Sequence, residues 1–262
     1  MTDKMKKIKI VKIGGNIIDD AIALDNFLKQ FAKLEGLKVL VHGGGKLASR
    51  LATQMQVPVK MIDGRRITNA ETLDIITMVY AGKISKNIVA KLQGHGCNAV
   101  GFSGADGNTV IAEKRPVKEI DYGYVGDIVE VDANVLKLLL SNNITVCFCA
   151  ISHDQQGQLF NTNADTIASE LAIALSKDFE VELYYSFEKN GVLTDVEDAN
   201  SVVEKIDQSI YHDLKAQGLI FEGMIPKLDN CFYAVENGVK NIHLGTPEMI
   251  FDPQMKHTII SQ

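Results

Sequence analysis

The sequence predicts an α/β fold in which a mostly parallel sheet is covered by helices on both faces. Two apolar runs are typical of buried strands, residues 8–13 and residues 38–41. Each precedes a segment whose apolar side chains have helical spacing, residues 21–34 after the first and residues 47–51 after the second. Because strands linked by crossover helices run parallel, this β-α-β-α start predicts a parallel sheet between two helical layers.

Length and composition limit the possible classes of protein. With 262 residues, 46% of them apolar, the chain is long enough for one large α/β domain or two lobes. The net charge of −6 argues against a nucleic-acid partner. No apolar run reaches membrane-spanning length, and the N-terminus lacks an apolar signal core. We therefore expect a cytoplasmic protein without a membrane partner.

The cysteines do not indicate a metal or redox site. The four cysteines include no C-x-x-C pair and no metal-like spacing with histidine: Cys97, Cys147, Cys149 and Cys231. Cys147 and Cys149 alternate inside a strand-like run. We predict that all four are reduced structural thiols.

Three glycines follow the second predicted strand in the stretch HGGGK, residues 42–46. A turn without Cβ atoms lets backbone N–H groups approach an anion, and the following helix N-terminus adds a favourable partial charge, so this turn is a candidate phosphate site. Two other interpretations are open at this point. One is a tight connection without a ligand, and the other is a dinucleotide fingerprint, G-x-G-x-x-A over residues 43–48 with Asp63 about twenty residues on.

Further polar residues stand where predicted strands end or helices begin. Lys12 lies beside Gly14 and Gly15 at the carboxyl end of the first strand, the edge at which parallel α/β sheets bind ligands. Three alternating amide or acid side chains precede a later helix: Asn161, Asn163 and Asp165. Helix capping explains any one of them, but it explains less well why three occur within five positions.

Two arginines, Arg65 and Arg66, precede a long predicted helix, residues 69–92. Thr68 and Glu71 have the spacing of a capping box at its N-terminus. Arg66 is either a solvated charge or a carboxylate ligand, because guanidinium binds carboxylates through two parallel hydrogen bonds. With regular winding, this position faces the same sheet edge as the glycines.

The pattern pauses near residues 176–178, where we place a lobe boundary. Before this pause, residues 98–132 predict short strands and turns, typical of hairpins at the rim of a sheet, and residues 144–151 predict a strand. After it, the pattern predicts a strand at 181–186, a helix near 203–217, a helix ending at 237 and a last strand at 241–244.

Five motifs occur in order along nearly the whole chain: residues 12–15 (KIGG), 42–45 (HGGG), 64–68 (GRRIT), 161–165 (NTNAD) and 223–227 (GMIPK). With these motifs the chain resembles the amino acid kinase family, and within it the branch that phosphorylates N-acetylglutamate in arginine biosynthesis. The resemblance implies an open, mainly parallel sheet in an α/β/α sandwich with two lobes. It implies that residues 1–177 bind the acyl amino acid and form a homodimer through the long helix, and that residues 178–262 bind ATP.

The resemblance also implies roles for individual residues. By this resemblance Lys12 contacts the transferred phosphoryl group, Lys227 contacts the leaving group on the ATP side, and Asp165 holds both lysines. Arg66 binds the substrate α-carboxylate, assisted by Asn161. The other implied contacts to phosphate or substrate are those of Gly14, Gly15, Gly44, Gly45 and Asn163. ATP is expected with Mg²⁺ that arrives with the nucleotide, without a dedicated metal site in the protein.

The sequence departs from the family pattern at several positions. Arg65 stands where most relatives carry an apolar residue, so it either turns to solvent or pairs with an extra carboxylate on the acyl group, as in N-succinylglutamate. Phe187 and Glu188 lie where the family has an acidic turn near the nucleotide, so either Glu188 substitutes or the turn is rebuilt. The first strand begins almost at once, which by resemblance implies a homodimer not controlled by arginine.

The combined motifs distinguish between the classes of protein. A dinucleotide-dependent oxidoreductase has no use for Lys12, Asp165 and Lys227 together, and the P-loop pattern G-x-x-x-x-G-K-[ST] does not occur. The sequence therefore predicts a kinase with a small-molecule substrate. The alternative from another class is a non-catalytic sensor of acyl amino acids or nucleotides on the same fold, for which the altered turn at Phe187 is the argument.

Overall fold

The structure is a computed structural model that describes residues 5–62, 64–195, 197–220 and 224–261. Asp63 of the dinucleotide alternative and Gly223 of the last motif lie outside the described residues. Within the described part, a sheet of eight strands runs through the molecule, and sheets of four and two strands accompany it.

The strands predicted from apolar runs begin and end close to those runs, and further short strands accompany them. In chain order they are β1 (Lys7–Ile13), β2 (Leu37–His42), β3 (Met61–Ile62), β4 (Arg65–Arg66), β5 (Ala99–Phe102), β6 (Val110–Lys114), β7 (Gly126–Val131), β8 (Thr145–Cys149), β9 (Ile151–His153), β10 (Leu159–Asn161), β11 (Glu180–Ser186), β12 (Lys205–Ile206), β13 (Asn241–Gly245) and β14 (Thr258–Ile260).

The helices connect these strands and carry their apolar residues on one face. They are α1 (Gly15–Asp19), α2 (Ala21–Lys33), α3 (Gly45–Gln54), α4 (Ala70–Thr77), α5 (Ser85–Gly94), α6 (Asn134–Ser141), α7 (Ala164–Ser176), α8 (Gln208–Ala216) and α9 (Ile225–Glu236). A π-helical segment, Met78–Ile84, joins α4 to α5, and two short 3₁₀ turns occupy Asp106–Asn108 and Pro247–Ile250.

The large sheet has the strand order β12-β14-β13-β11-β1-β2-β8-β5. All neighbouring pairs in it run parallel except β13 and β14. The predicted mainly parallel α/β fold is therefore confirmed. Because β1 lies between β11 and β2, the carboxyl ends of these three strands meet at one edge, which is where ligands bind in open parallel sheets.

Each face of the large sheet has its own apolar core. Ile8 and Ile10 of β1 face one core, which includes buried residues of α7 and α9. Val11 and Ile13 face the other core, which includes buried residues of α2 and α5. Side chains of a strand alternate between faces, so one strand supplies both cores and the sheet is sandwiched between helical layers.

Of the hairpin segment predicted for residues 98–132, β6 and β7 lie in a second sheet of four strands, in the order β10-β9-β6-β7. The prediction is wrong for β5, which is the edge strand of the large sheet and runs parallel to β8. Strands β6 and β7 pair antiparallel, as do β9 and β10. A single bridge links Val125, just before β7, to Asn161 at the end of β10. This sheet therefore brings the region around β7 next to the NTNAD motif.

The long helix differs from its prediction in two ways. First, the backbone is π-helical over Met78–Ile84, where Ser85 N–H reaches back to the carbonyl of Tyr80. Second, the predicted capping box is wrong, because Asn69 is the N-cap and its side chain accepts a hydrogen bond of 2.9 Å from the Thr72 N–H. The Thr68 hydroxyl instead donates to the Arg66 carbonyl at 3.2 Å.

The second half of the chain adds a strand that the sequence pattern does not predict, β14. The helix predicted near 203–217 begins later than expected, at Gln208, because Lys205–Ile206 pairs with β14. The pause at 176–178 lies in the turn between α7 and β11, and β11 pairs with β1 along its length. The two proposed lobes therefore share one continuous sheet.

Two predictions about the whole chain are addressed by the structure. All four cysteines are free thiols in buried positions, which confirms the structural interpretation. Over the described ranges, the helices are too short or too polar to cross a membrane.

Candidate active site

Two lysines meet one aspartate at the carboxyl end of the central strands. Lys12 Nζ lies 2.7 Å from Asp165 Oδ1, and Lys227 Nζ lies 3.1 Å from Asp165 Oδ2. The three side chains are between 17% and 28% exposed, so they are largely shielded from water but accessible to a ligand. The structure thus brings together the three residues that the sequence assigns to catalysis.

Secondary structure fixes this cluster from three directions. Lys12 is at the end of β1, Asp165 is in the first turn of α7, and Lys227 is in the first turn of α9, whose second residue is Pro226. Proline suits the first helical turn because its missing N–H would have no partner there. The Tyr185 hydroxyl donates to the backbone carbonyl of Asp165 at 3.0 Å and ties α7 to β11. Three rigid elements therefore set the spacing of the charges.

The two lysines keep Asp165 ionised. Burial by itself raises the pKa of this carboxyl, because a buried charge loses hydration. The ammonium groups of Lys12 and Lys227 outweigh burial and lower the pKa to about 2. The cluster therefore carries two positive charges and one negative charge at neutral pH, and its net charge attracts anions.

Aromatic rings surround the second lysine. Lys227 Nζ lies 5.2 Å from the ring centre of Tyr185 and 5.2 Å from that of Phe187. Both distances are within the range of cation–π attraction. The Phe187 N–H also donates to the Gly245 carbonyl at 2.9 Å, which joins this turn to β13. In the altered turn, Phe187 is thus a contact of Lys227; the prediction that Glu188 substitutes for the usual acid stays untested.

The two glycine turns lie beside this cluster. Gly14 is the N-cap of α1 and Gly44 is the N-cap of α3, and neither cap has a side-chain hydrogen bond to the helix. Gly44 has φ of 153°, and a Cβ placed on it would lie 2.1 Å from Ile84 Cδ1. Glycine suits this position because other residues rarely adopt this φ, and any side chain would also force Ile84 in the π-helical segment to shift. The close approach keeps the HGGGK turn pressed against the long helix.

Arg66 is buried, with 9% exposure, next to the HGGGK turn. Its Nη2 donates to the Gly45 carbonyl at 2.9 Å and to Ser49 Oγ at 2.8 Å. These bonds fix one edge of the guanidinium group and hold its plane in place. A buried guanidinium without a carboxylate partner among the described residues fits the prediction that Arg66 receives one from a ligand.

The asparagines of the NTNAD motif have distinct contacts. Asn161 Nδ2 donates to the Thr68 hydroxyl at 3.1 Å, which explains why Thr68 is not available as a helix cap. Asn163 is the N-cap of α7, where its Oδ1 accepts from the N–H groups of Asp165 and Thr166 at 2.7 and 3.4 Å. The capping interpretation is therefore confirmed for Asn163. Its predicted contact with the substrate is untested, and the amide nitrogen Nδ2 is the atom left for it.

A cavity of about 370 Å³ lies between these groups. The predicted site residues that line it are Lys12, Gly15, Gly44, Gly45, Arg65, Arg66, Asn161, Asn163 and Asp165. Gly14 and Lys227 do not line the cavity, but each is next to a residue that does. Gly14 precedes Gly15 in the chain, and Lys227 pairs with Asp165. Residues from four motifs far apart in the chain thus surround one space.

Among the lining residues that sequence reasoning missed, Tyr80 and Arg115 carry groups that can bind a ligand. Tyr80 carries only the apolar signal of a helix face, and Arg115 follows β6 without any motif. Arg115 forms an ion pair with Asp127, with Nε donating to Oδ1 at 2.9 Å. It lines the cavity together with Arg65, which is exposed. No motif or residue spacing in the sequence indicates that Arg115 belongs to the site, because only the pairing of β6 with β7 brings it to the cavity.

The structure offers no group of three or more histidine, cysteine, aspartate or glutamate side chains able to hold a metal ion, within the ranges it describes. His42 of the HGGGK turn is fully buried, and burial lowers its pKa to about 4. It is therefore neutral at physiological pH and part of the core.

Comparison with known proteins places the chain in a family. The model of the amino acid kinase family matches residues 7–246. A protein of Cytophaga hutchinsonii named acetylglutamate kinase is 51% identical, with 95% of this chain and 94% of the relative covered. Its counterpart in Parabacteroides distasonis, with the same name, is 50% identical over 91% of this chain and 93% of the relative.

Solved structures agree on the fold. The crystal structure of smu.665 from Streptococcus mutans UA159 has a TM-score of 0.75 and 26% identity, covering 97% of this chain and 98% of that one. Giardia carbamate kinase has a TM-score of 0.71 and 16% identity, covering 98% and 99%, and it supports the fold alone. The chain belongs to the amino acid kinase family. Within that family, the relatives at about half identity carry the name acetylglutamate kinase.

Proposed function

We propose that this chain transfers the γ-phosphoryl group of ATP to the γ-carboxylate of N-acetyl-L-glutamate. The product is N-acetyl-L-glutamyl 5-phosphate, and the reaction is the second step of arginine biosynthesis. The observation that carries the proposal is the cluster of Lys12, Asp165 and Lys227, two of which, Lys12 and Asp165, line the same cavity as Arg66. The names of the relatives at about 50% identity agree with this activity.

The chemistry explains why two lysines are useful. A carboxylate must approach a triphosphate, so two anions that repel each other have to be held in line. Catalysis then depends on positioning and on positive charge aimed at the oxygens of the transferred group. We assign Lys12 to the transferred phosphoryl group and Lys227 to the leaving phosphate. Asp165 keeps the two ammonium groups at a fixed spacing without taking part in proton transfer, since it stays ionised.

We assign the acyl amino acid to the cavity beside β2 and α3. Arg66 binds its α-carboxylate, and Asn161 and Asn163 contribute amide groups. The N–H groups of Gly44 and Gly45 hold the substrate, and those of Gly14 and Gly15 hold phosphate oxygens. The buried guanidinium of Arg66 supports placing the α-carboxylate at this end of the substrate, because a buried cation needs an anionic partner and Arg66 lines the cavity.

ATP belongs, in this proposal, to residues 178–262, with its phosphates directed at Lys227. Both carboxylate oxygens of Asp165 pair with lysines, so this carboxylate is not free to bind a metal ion. The site therefore fits a metal ion that is coordinated by the phosphates of the nucleotide. Mg²⁺ bound to ATP neutralises phosphate charge. Residues 1–177 supply the acyl-amino-acid site, and Lys12 and Asp165 face the nucleotide from that side.

We further propose a cytoplasmic homodimer that pairs through the long helix. Met78 on the π-helical segment is 50% exposed, and a Cβ placed on nearby Gly82 would meet no atom within 4 Å. A second copy could pack closely against such a surface. Light scattering after gel filtration should give a dimer mass for the wild-type chain and a monomer mass for Met78→Glu. A wild-type monomer at micromolar concentration would contradict the proposal.

The activity is tested with purified protein, Mg-ATP and hydroxylamine, which converts an acyl phosphate to a hydroxamate. We expect ADP and hydroxamate in equal amounts with N-acetylglutamate, and neither product with free glutamate. Binding of N-acetylglutamate in calorimetry without any ADP release would instead support the sensor. The presence of both lysines around Asp165 speaks against a sensor, because a binding module needs no such pair.

A second substrate, N-succinylglutamate, is favoured by one observation. Arg65 and Arg115 both line the cavity, and Arg115 already has the carboxylate of Asp127 as a partner. The guanidinium group of Arg65 could pair with the extra carboxylate of a succinyl group. In this case Arg65→Leu should raise the KM for the succinyl substrate about tenfold and leave the acetyl substrate unchanged. Arg50→Leu, which removes an exposed arginine that pairs with Asp19, is the control. Equal loss for both substrates would contradict a role for Arg65 in acyl selection.

A further inference from the structure

Tyr80 presents an unusual arrangement on the wall of the cavity. It lies within the π-helical segment Met78–Ile84, and only 6% of the residue is exposed. A Cβ placed on Gly44 would lie 3.2 Å from two carbons of the Tyr80 ring, so the ring packs directly against the glycine turn. π-helical segments inside longer helices occur frequently at functional sites. The segment thus brings one aromatic side chain to the substrate side of the molecule.

The Tyr80 hydroxyl and the Arg66 guanidinium flank the same glycine. A Cβ placed on Gly45 would lie 3.8 Å from Tyr80 Oη and 3.7 Å from Arg66 Nη2. Both residues line the cavity. The two polar groups can therefore reach a single ligand atom or carboxylate in front of Gly45.

The hydroxyl has no hydrogen-bond partner within the part of the chain that the structure describes. A tyrosine with a buried ring normally has a partner for its hydroxyl, because burying the group without one is costly. Arg66, in contrast, is fixed by Gly45 and Ser49 through one nitrogen. The hydroxyl is thus available to a group that enters the cavity.

We propose that the Tyr80 hydroxyl donates a hydrogen bond to the substrate carboxylate that Arg66 binds. This inference rests on the proposed function, and it adds a binding residue to the same site. A carboxylate offers more lone pairs than one guanidinium edge uses, so a second donor from the π-helical segment completes its coordination. Burial raises the pKa of the Tyr80 hydroxyl, which keeps it protonated and able to donate at neutral pH.

The test removes only the hydroxyl. In Tyr80→Phe we expect the KM for N-acetylglutamate to rise about tenfold, the usual loss for one hydrogen bond to a charged group. The KM for ATP and kcat should stay within about twofold, as expected for a contact made equally in the ground and transition states. The melting temperature should not fall, since the hydroxyl has no described protein partner. Tyr233→Phe removes a hydroxyl from a tyrosine that is 48% exposed on α9, and it is the matched control.

A double-mutant cycle with Arg66→Lys tests whether the two groups share a ligand. If both hold one carboxylate, the effect of Tyr80→Phe on KM should be clearly smaller in the Arg66→Lys background. An active wild-type enzyme whose Tyr80→Phe variant keeps its KM for N-acetylglutamate would overturn this inference alone. So would an equal rise in the KM for ATP, or full additivity with Arg66→Lys. Absence of wild-type turnover and binding would overturn the proposed function and this inference together.

Discussion

Lys12 Nζ lies 2.7 Å from Asp165 Oδ1, and this contact joins the central strand β1 to the first turn of α7. The other oxygen of the same carboxylate binds Lys227, so one aspartate sets the distance between two ammonium groups. Without it, two like charges in a shielded site would repel each other and turn toward solvent. The position of both cations, one lining the cavity and one beside it, therefore depends on Asp165.

The pH dependence of stability should reveal this cluster. The folded-state pKa of Asp165 is lowered to about 2, whereas an aspartate in the unfolded chain titrates near 3.9. A lowered folded-state pKa gives stability that is fully present above the unfolded-state value and is lost as the pH falls toward the folded-state value. The difference in unfolding free energy between wild type and Asp165→Asn should thus be constant from about pH 7 to 5 and shrink by about 2 kcal/mol between about pH 4 and 2.

Urea denaturation at a series of pH values measures this difference. Asp178→Asn, which removes an ion pair with Lys137 at the surface, is the control variant. If the difference for Asp165→Asn stayed the same down to about pH 2, the ion pairs would not contribute to folding as described.

Arg66→Lys should weaken binding of the acyl amino acid. Lysine keeps the charge but cannot donate to Gly45, to Ser49 and to a ligand with the fixed planar geometry of guanidinium. We expect the KM for N-acetylglutamate to rise between about tenfold and a hundredfold, with the KM for ATP unchanged. Steady-state kinetics with each substrate varied in turn checks this. A selective rise in the KM for ATP would contradict the assignment of Arg66 to the acyl amino acid.

Phe187→Leu should lower kcat by disturbing Lys227. The variant keeps an apolar side chain of similar reach but removes one of the two rings near the ammonium group. Cation–π contacts at shielded sites contribute about 1 to 2 kcal/mol, which corresponds to a loss in kcat of about fivefold to thirtyfold. Phe187→Tyr keeps the ring and should retain activity. Equal activity of both variants would show that the ring does not position Lys227.

Several features of this molecule follow from local sequence pattern. The strands β1 and β2, the helix α2 between them and the polar residues at the strand ends were predicted, because apolar periodicity and glycine turns are local signals, whereas the short helix α1 was not predicted. Parallel strands bring their carboxyl ends to one edge, which is why residues as distant as Lys12 and Asp165 could be expected to meet. The roles given to single site residues remain predictions until variants are measured.

Other features depend on packing between distant segments. Thr68 has the spacing of a cap, yet its hydroxyl contacts Arg66 and Asn161, and Asn69 takes the capping role. In the π-helical segment, Ile84 and Tyr80 pack against Gly44, and no periodicity in the sequence shows this contact. Arg115 reaches the cavity only through the pairing of β6 with β7. Long-range contacts override or supplement the local signal in each case.

The most direct test of the account is the rate of the chemical step in Asp165→Asn. Formation of the hydroxamate should be followed in a single turnover, with enzyme in excess over ATP and with saturating N-acetylglutamate and hydroxylamine. We predict a rate at least about a hundredfold below wild type, because both lysines lose the group that aims them at the transferred phosphoryl. Binding of N-acetylglutamate, measured by calorimetry, should change little. A single-turnover rate equal to that of wild type would contradict the central role of the cluster.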